Sequence, residues 1–310
     1  MEAAGRWVPL DSNASAILAA CPQPLWALAD AQVPALIIRS ALSAVECEAL
    51  VTRLAAKGQL PDPNDALPAR LLDRAIPEGF YREGRDGVRR YAWKAVEDRS
   101  GARIDVGTSL GYRGSDPAAY FAHSAETIRL FDELFGLESA VTDPVRALYE
   151  ALQSLAGARQ VSSAREEDGR SYGPAIVRAH YGGYSYAPHF DSVRLREKRS
   201  DFAVHAFRHQ FAGVLVLQNA RLGNSTAQCT IHRCLWEPEI DPHLKAGTFH
   251  DYARERALDK TTVHLEPGDV YFFNTRCIHE VPGLIAATPR IVLATFIGFD
   301  EDRDVIYVWS

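Results

Sequence analysis

Residues 186–191 read Tyr-Ala-Pro-His-Phe-Asp, at the end of a stretch with β-type composition. Successive side chains of a strand alternate between its two faces, so residues i and i+2 lie on one face. His189 and Asp191 are therefore able to direct an imidazole and a carboxylate at one point. The pair alone is weak evidence, because ten histidines and 40 acidic residues give about one His-x-Asp/Glu by chance, and His264 and Glu266 form a second.

Two residues farther along the chain complete a chemically meaningful set. His279 follows a hydrophobic run at 270–273, and Arg290 opens another run at 290–299. Two imidazoles and one carboxylate on one face of an octahedral ion form the facial triad of non-heme Fe(II) oxygenases, which leaves coordination positions open. The planar guanidinium of an arginine holds the distal carboxylate of a dicarboxylate whose other end chelates the metal. The set predicts Fe(II) as the metal and 2-oxoglutarate as the co-substrate.

The order and spacing of these four residues resemble the motif of the Fe(II)/2-oxoglutarate-dependent dioxygenase superfamily. Locally, the Tyr-x-Pro-His-Phe-Asp string resembles prolyl 4-hydroxylases. A longer resemblance, from Ala41 to the C-terminus, is to the hapalindole/welwitindolinone-type aliphatic halogenases. It rests on short matches spread along the chain, namely Tyr120-Phe121, Arg178 eleven residues before His189, the eleven-residue spacing from His279 to Arg290, and the closing Ile306-Tyr-Val-Trp-Ser310.

The resemblance implies a role for each site residue. His189, Asp191 and His279 are the expected catalytic metal ligands, O2 joins 2-oxoglutarate as a co-substrate, and Arg290 binds the 2-oxoglutarate. Arg178 is a second candidate contact for the co-substrate, with a structural ion pair as an equal alternative.

One departure from the halogenases affects the expected reaction. They carry Gly where this chain has Asp191, and the vacancy lets chloride bind iron. Asp191 fills that position, so we expect hydroxylation, or another oxidation, of an unactivated C–H bond in a small-molecule natural product. The resemblance also implies decarboxylation of 2-oxoglutarate to succinate.

The hydrophobic pattern predicts an α+β fold in two connected parts. Residues 1–170 hold a strand-helix start and supporting helices, and residues 171–310 form a double-stranded β-helix (jelly roll) that carries the oxygenase core. The sequence shows no linker between the two parts and no internal repeat. We therefore expect the two parts to pack as one unit. Residues 57–105, rich in Pro, Gly, Asp and Arg, are predicted to be irregular.

Local signals predict the individual elements. A capping box of Ser43 and Glu46 opens a helix that ends near Ala56, and two more helices are expected at 116–135 and 143–156. The predicted β runs lie at 34–42, 174–181, 211–218, 227–234, 261–265, 269–273 and 290–299.

Composition and charge exclude several classes of protein. The 310 residues are 47% hydrophobic with a formal net charge of −6, which indicates a globular chain without attraction to nucleic acid. No run approaches the roughly 18 apolar residues that span a bilayer.

Five cysteines without a CxxC pair predict free thiols and a cytoplasmic location. A small-molecule substrate is the expected partner, and the oligomeric state has no signal.

Two other functions compete with the oxygenase. A Zn(II) hydrolase would bind its metal through His189, Asp191 and His279 with an activated water in the fourth position, but it gives Arg290 no role. A non-enzymatic β-sandwich binding module would keep these side chains as structural hydrogen-bonding groups and bind no metal.

The remaining polar features near the motif have simpler interpretations. His264 and Glu266 indicate a solvated strand end. His205 and His209 are expected to line a pocket or to be structural. The charged segment 194–201 indicates a solvated loop, with a lid over the site as the alternative. Most of the neighbouring aromatic residues are expected to be core packing rather than a substrate pocket, namely Tyr181, Tyr184, Tyr186, Phe190 and Trp236.

Overall fold

The computed structural model describes residues 7–60, 81–83, 89–91, 102–112, 116–181, 183–286 and 288–310. Helices and sheets both occur, which confirms the predicted α+β class. The described helices are α1 (Ala14–Ala20), α2 (Pro24–Ala29), α3 (Ala44–Ala56), α4 (Pro117–Phe135), α5 (Pro144–Gln153), α6 (Asp241–Ala246) and α7 (Phe249–Glu255).

The described strands are mostly short. They are β1 (Leu10–Ser12), β2 (Leu36–Ile38), β3 (Tyr81–Glu83), β4 (Arg89–Tyr91), β5 (Ala102–Val106), β6 (Gln160–Ser163), β7 (Ile176–Tyr181), β8 (Tyr186–His189), β9 (His209–Gln218), β10 (Arg221–Leu222), β11 (Ser225–Thr226), β12 (Thr230–Leu235), β13 (Lys260–Thr262), β14 (Val270–Asn274), β15 (Cys277–Val281), β16 (Arg290–Phe299) and β17 (Val305–Trp309).

Capping residues determine where the long helices begin. Ser43 and Glu46 form the predicted capping box at the start of α3, and an aspartate caps each of α4 and α5 ahead of a proline. Helix α5 ends at Gln153, before the predicted residue 156. The prediction was too long because the N–H groups of residues 155 and 156 bond to carbonyls three residues back, which tightens the chain into a turn.

The apolar stretch at 14–29 forms the two short helices α1 and α2. Pro24 lies in the first turn of α2, and Cys21 ends α1 in an extended conformation. No described helix is long and apolar enough to cross a membrane.

Two sheets form the β framework. The nine-stranded sheet has the order β1-β2-β14-β9-β16-β17-β6, and β7 pairs with the first half of β16 and with β5. The four-stranded sheet has the order β13-β12-β15-β8. Strands that precede residue 170, namely β1, β2, β5 and β6, therefore share the large sheet with strands that follow it.

The predicted strands are partly correct. Each of the six runs after residue 171 contains a strand, with ends that shift by at most three residues. The run at 34–42 contains a strand only over Leu36–Ile38, because the chain turns at Ser40 with a φ of 52° before α3 begins.

The prediction of an irregular segment at 57–105 was wrong at its end. Ala102–Val106 is strand β5 and pairs with β7. Ile104 and Val106 pack in the core, while Arg103 and Asp105 form an ion pair of 3.0 Å on the other face. Because Arg103 and Asp105 alternate with the two apolar residues, the segment has the composition of an irregular, charged region rather than of a buried strand. Strands β3 and β4 pair in an antiparallel manner, and the rest of the predicted segment from residue 61 to 101 lies outside the described residues.

Alternating side chains create a core on each face of the large sheet. On β14, Val270 and Phe272 belong to the cluster that packs against α3, α4 and α5. Tyr271 and Phe273 point the other way, toward the small sheet. The candidate site lies in this second space, between the two sheets.

Candidate metal centre

Strand register brings the two predicted histidine ligands together. In the small sheet, His189 on β8 lies directly opposite His279 on β15. The ring centroids are 4.2 Å apart. Asp191 follows two residues after His189, and its N–H donates to the carbonyl of Thr275 at 3.0 Å while the Thr275 hydroxyl donates back to the Asp191 carbonyl at 2.8 Å. These bonds fix the backbone of Asp191 beside the start of β15.

The three side chains converge on one point. Asp191 Oδ2 lies 3.7 Å from His189 Nε2 and 3.6 Å from His279 Nε2. Each histidine donates its Nδ1 proton to the backbone carbonyl two residues earlier, at 2.8 Å to Ala187 and 2.9 Å to Cys277. Because Nδ1 carries the proton, the lone pair on each Nε2 is available to a metal.

Arg196 holds the second oxygen of Asp191. Its Nη1 donates to Asp191 Oδ1 at 3.0 Å and to the carbonyl of Phe190 at 2.6 Å. Burial alone would raise the pKa of Asp191, but the neighbouring His279, His189 and Arg196 outweigh it and hold the pKa below its ordinary value. Asp191 is therefore ionised and directs Oδ2 at the histidines.

His189 is suited to metal binding near neutral pH. Burial and the neighbouring His279 lower the pKa of His189 to about 4, so its imidazole is neutral. Two imidazole nitrogens and one carboxylate oxygen within 4.8 Å of one another fit a divalent transition-metal ion and leave coordination positions for other ligands.

Arg290 is buried in the same cavity. It starts β16, pairs in register with His180 on β7, and has 4% of its surface exposed. Arg290 Nη1 lies 3.3 Å from His180 Nδ1, and Tyr271 lines the same cavity. No Asp or Glu in the described part of the chain forms an ion pair with Arg290.

His180 remains neutral beside this cation. Burial, followed by the charges of Arg290 and Arg178, holds the pKa of His180 well below its ordinary value. Its Nδ1 therefore accepts from Arg290. Tyr186 contacts His180 Nε2 through its hydroxyl at 3.4 Å, and the Tyr186 ring stacks on His189 at 5.6 Å between centroids. Tyr186 thus connects the arginine end of the cavity to the metal end.

The cavity has an apolar wall and a few polar groups. Its lining includes Ser109, Ile176, Arg178, His180, Tyr186, His189, Asp191, Val214, Tyr271, Phe273, His279, Val281, Arg290, Val292, Ala294 and Phe296.

The structure brings all five predicted site residues to this cavity. Arg178 lines it from β7, and its Nε lies 3.9 Å from Asp105 Oδ1, so it combines a cavity position with an ion-pair contact. His180, which sequence reasoning did not identify, lies on the same strand face as Arg178 because the two are separated by one residue. That spacing in the run at 174–181 was the available signal.

Most of the simpler interpretations agree with the structure. His264 and Glu266 are exposed, and Glu266 pairs with Arg221 at 2.8 Å. Phe190 stacks on Trp236 in a separate hydrophobic cluster, with centroids 4.4 Å apart, as expected for packing.

His205 lies in a short 3₁₀ turn and lines a surface pocket, and His209 opens β9. Two other features differ in part from expectation. Tyr186 lines the cavity and is more than packing. Segment 194–201 is only partly a solvated loop, since its Arg196 contacts Asp191.

The chain and its fold both have known relatives. A family model described as carrier-protein-independent halogenase WelO5 matches residues 5–310. Two solved structures of an N-substituted L-amino acid dioxygenase from Burkholderia ambifaria AMMD, one of them in complex with alpha-KG, are similar at 15% and 16% identity. The two alignments cover 93% and 92% of this chain and, in each case, 90% of the dioxygenase chain. Each has a TM-score of 0.52. No curated protein sequence matches the chain.

The two kinds of match carry different information. The likeness to the dioxygenase, at low identity, shows a shared fold. The family match extends over nearly the whole chain and includes every residue of the metal centre. The chain therefore belongs to the WelO5 family of carrier-protein-independent halogenases, within the Fe(II)/2-oxoglutarate-dependent oxygenase superfamily.

Proposed function

We propose that this protein is an Fe(II)/2-oxoglutarate-dependent oxygenase that hydroxylates, or otherwise oxidises, an unactivated C–H bond of a small-molecule natural product. The same turnover decarboxylates 2-oxoglutarate to succinate and consumes O2. His189, Asp191 and His279 bind the iron, and Arg290 binds the co-substrate. The family match, the shared fold and the His/Asp/His cluster support this proposal and favour it over a zinc hydrolase or a binding module.

The buried guanidinium of Arg290 is the observation that carries the proposal. A charge in a protein interior needs an opposite charge, because desolvation costs several kcal/mol per ion. Arg290 lacks an acidic partner among the described residues, and it lines the same cavity as the metal ligands. A dicarboxylate that contacts both supplies the missing charge. A zinc hydrolase gives the buried arginine no such partner.

The residues around Arg290 orient and shield the co-substrate. The neutral His180 accepts one N–H of the guanidinium, and Arg290 and Tyr271 both line the cavity. Val214, Val292 and Ala294 form an apolar wall beside them. A dry wall strengthens the charge-assisted bonds between guanidinium and carboxylate.

Asp191 favours oxygenation over halogenation in a family described as halogenases. Its Oδ2 lies 3.7 and 3.6 Å from the two histidine Nε2 atoms as the third ligand atom of the cluster, and Arg196 holds its Oδ1. A carboxylate that fills this position and is ionised leaves no vacancy for a halide among the protein ligands. Iron, when bound, supplies the activation of O2 that none of these side chains provides.

The arrangement of strands supports the jelly-roll architecture and the division of the chain. Two facing sheets enclose the site, and β7, β8, β15 and β16 supply its five predicted residues or lie directly before them. We assign residues 171–310 as the oxygenase core. Residues 1–170 add the outer strands and the helices that cover the large sheet, and pack with the core as one unit.

Turnover of 2-oxoglutarate without a primary substrate tests the proposed function. The protein is freed of metal, loaded with Fe(II), and incubated with 2-oxoglutarate and O2, and succinate is measured by mass spectrometry. We expect slow succinate formation that requires both Fe(II) and O2 and is absent with Zn(II). Arg290→Ala is the matched variant and loses this activity at low 2-oxoglutarate concentration.

The opposite result points to the hydrolase. If succinate does not form with Fe(II), and the Zn(II)-loaded protein cleaves ester or amide probes in an Asp191-dependent manner, the oxygenase assignment is wrong.

A further inference from the structure

The small sheet carries a second histidine–carboxylate cluster on its outer face. Side chains on β15 alternate, so His279 and Val281 line the cavity while Ile278 and Glu280 point away from it. Helix α7 packs on this outer face through Phe249, in the same hydrophobic cluster as Ile278. Glu280 therefore lies between the sheet and a helix, outside the proposed active site.

Two histidines approach the carboxylate of Glu280 from different elements. His232 on β12 places Nε2 at 3.0 Å from Glu280 Oε1, and His250 on α7 places Nε2 at 3.2 Å from Oε2. The three ligand atoms lie within 4.8 Å of one another. This spacing between donor atoms is similar to that of the His189, Asp191 and His279 centre, where the carboxylate-to-imidazole distances are 3.6 and 3.7 Å.

The cluster is buried at one end and open at the other. His232 is 1% exposed and its Nδ1 is buried without a hydrogen-bond partner in the described part of the chain. The side chain of Glu280 is largely buried, while the half-exposed His250 leaves one side of the cluster open to solvent.

We propose that His232, His250 and Glu280 form a second metal site for a borderline divalent ion such as Zn(II). Two imidazoles and a carboxylate are ligands that Zn(II) accepts, and water completes the coordination on the exposed side. The site joins three elements, β12, β15 and α7. Its effect is structural, because a bound ion fastens α7 to the strand that carries His279.

The second site is expected to bind more weakly than the first. At the first centre, backbone carbonyls fix the tautomer of both histidines through Nδ1. His232 has no such acceptor, and partners of this kind contribute about 10- to 100-fold to metal affinity. Zinc should therefore fill the His189 centre before the His232 site.

The test measures zinc stoichiometry and thermal stability, and needs no enzymatic activity. A background variant, His189→Ala with Asp191→Ala, removes two ligands of the first centre. Equilibrium dialysis against Zn(II), followed by elemental analysis, is then expected to find one bound equivalent. Zinc should also raise the thermal unfolding midpoint of this variant.

Substitution of a zinc ligand in that background decides the outcome. His250→Ala is expected to weaken zinc binding at least about tenfold and to abolish the thermal shift. The control, His264→Ala, removes an exposed histidine elsewhere and should change neither result. Absence of the bound equivalent, or equal binding after His250→Ala, overturns the proposal.

A second comparison covers the case in which the background variant does not fold. The wild-type protein is expected to bind two equivalents of Zn(II) and His250→Ala one equivalent, with the fold checked by circular dichroism. A single equivalent in both proteins rejects the second site.

Discussion

His189 and His279 face each other across the ladder between β8 and β15, with their ring centroids 4.2 Å apart. Neither strand is long, and the two histidines are far apart in sequence. Their pairing, together with the backbone bonds between Asp191 and Thr275, builds the ligand set before any metal is present. Preformed ligands of this kind lower the ordering cost of metal binding.

Arg290 is expected to control the affinity for 2-oxoglutarate. In Arg290→Ala the dissociation constant should rise about 30-fold or more, because losing one partner of a buried charge pair costs about 2–5 kcal/mol. Arg290→Lys keeps the charge but not the planar guanidinium, so its affinity for 2-oxoglutarate should lie between those of the wild-type protein and Arg290→Ala. Anaerobic titration calorimetry on the metal-loaded protein measures both. Arg221→Ala, a change at an exposed arginine, serves as the control, and an equal loss there would contradict the assignment.

Arg196 is expected to act as a positioning residue for Asp191. Arg196→Gln removes the charged donor to Oδ1 and should weaken metal affinity by about 10- to 100-fold, the range found for groups that orient metal ligands. Arg194→Gln changes an exposed arginine two residues earlier and should leave the affinity unchanged. Competition with a chelating dye gives the two affinities. Identical affinities in the two variants would show that Arg196 does not position the carboxylate.

Asp191 is expected to exclude chloride from the metal. In the wild-type protein loaded with Fe(II) and 2-oxoglutarate, added sodium chloride should leave the visible spectrum unchanged, because the carboxylate holds the third protein-ligand position. Asp191→Gly opens that position, so chloride should then shift the spectrum. Sodium sulfate at equal ionic strength is the control. A chloride-dependent shift in the wild-type protein would argue against an oxygenation-only centre.

Two histidines of the cavity are expected to make the metal-free protein acid-sensitive. Burial with the charges of Arg290 and Arg178 holds the pKa of His180 well below 6.5, and burial lowers the pKa of His189 to about 4. The unfolded chain binds protons at these histidines near 6.5, so between that value and the folded pKa it binds more protons than the native state. Their contribution to stability is therefore present above about pH 6.5 and lost as the pH falls.

Urea unfolding at a series of pH values measures this effect. The free energy of unfolding should decrease between about pH 6.5 and 4, with a slope of at most about 1.4 kcal/mol per pH unit for each histidine. His180→Gln should reduce the slope, whereas His264→Ala should keep it. A flat profile over this range would mean that the pKa values of the two histidines are not lowered in the folded protein.

The sequence predicts residues that the structure places in one cavity, but not the residues that contact and support them. His189, Asp191, His279 and Arg290 were identified from residue type, order and spacing, and the structure brings them to one cavity. Arg196 was assigned to a solvated loop, because its bond to Asp191 depends on how the chain folds back after β8. The local hydrophobic pattern does not show where the chain after β8 will contact Asp191.

Pairing between distant strands explains the other omissions. His180 supports Arg290 only because β7 and β16 are in register at these two positions. In the same way, His232, His250 and Glu280 come from two strands and a helix that are separated in sequence. Strands β8 and β15 were not predicted as elements because they are short and interrupted by polar side chains.

The visible spectrum of the anaerobic complex tests the central claim most directly. Metal-free protein receives Fe(II) and then 2-oxoglutarate, and the metal-to-ligand charge-transfer band of a chelated 2-oxo acid is recorded. We predict that the band appears in the wild-type protein and that, at the same 2-oxoglutarate concentration, it is lost in Arg290→Ala. A folded, iron-loaded wild-type protein that shows no band would contradict the assignment of His189, Asp191, His279 and Arg290 to an Fe(II)/2-oxoglutarate centre.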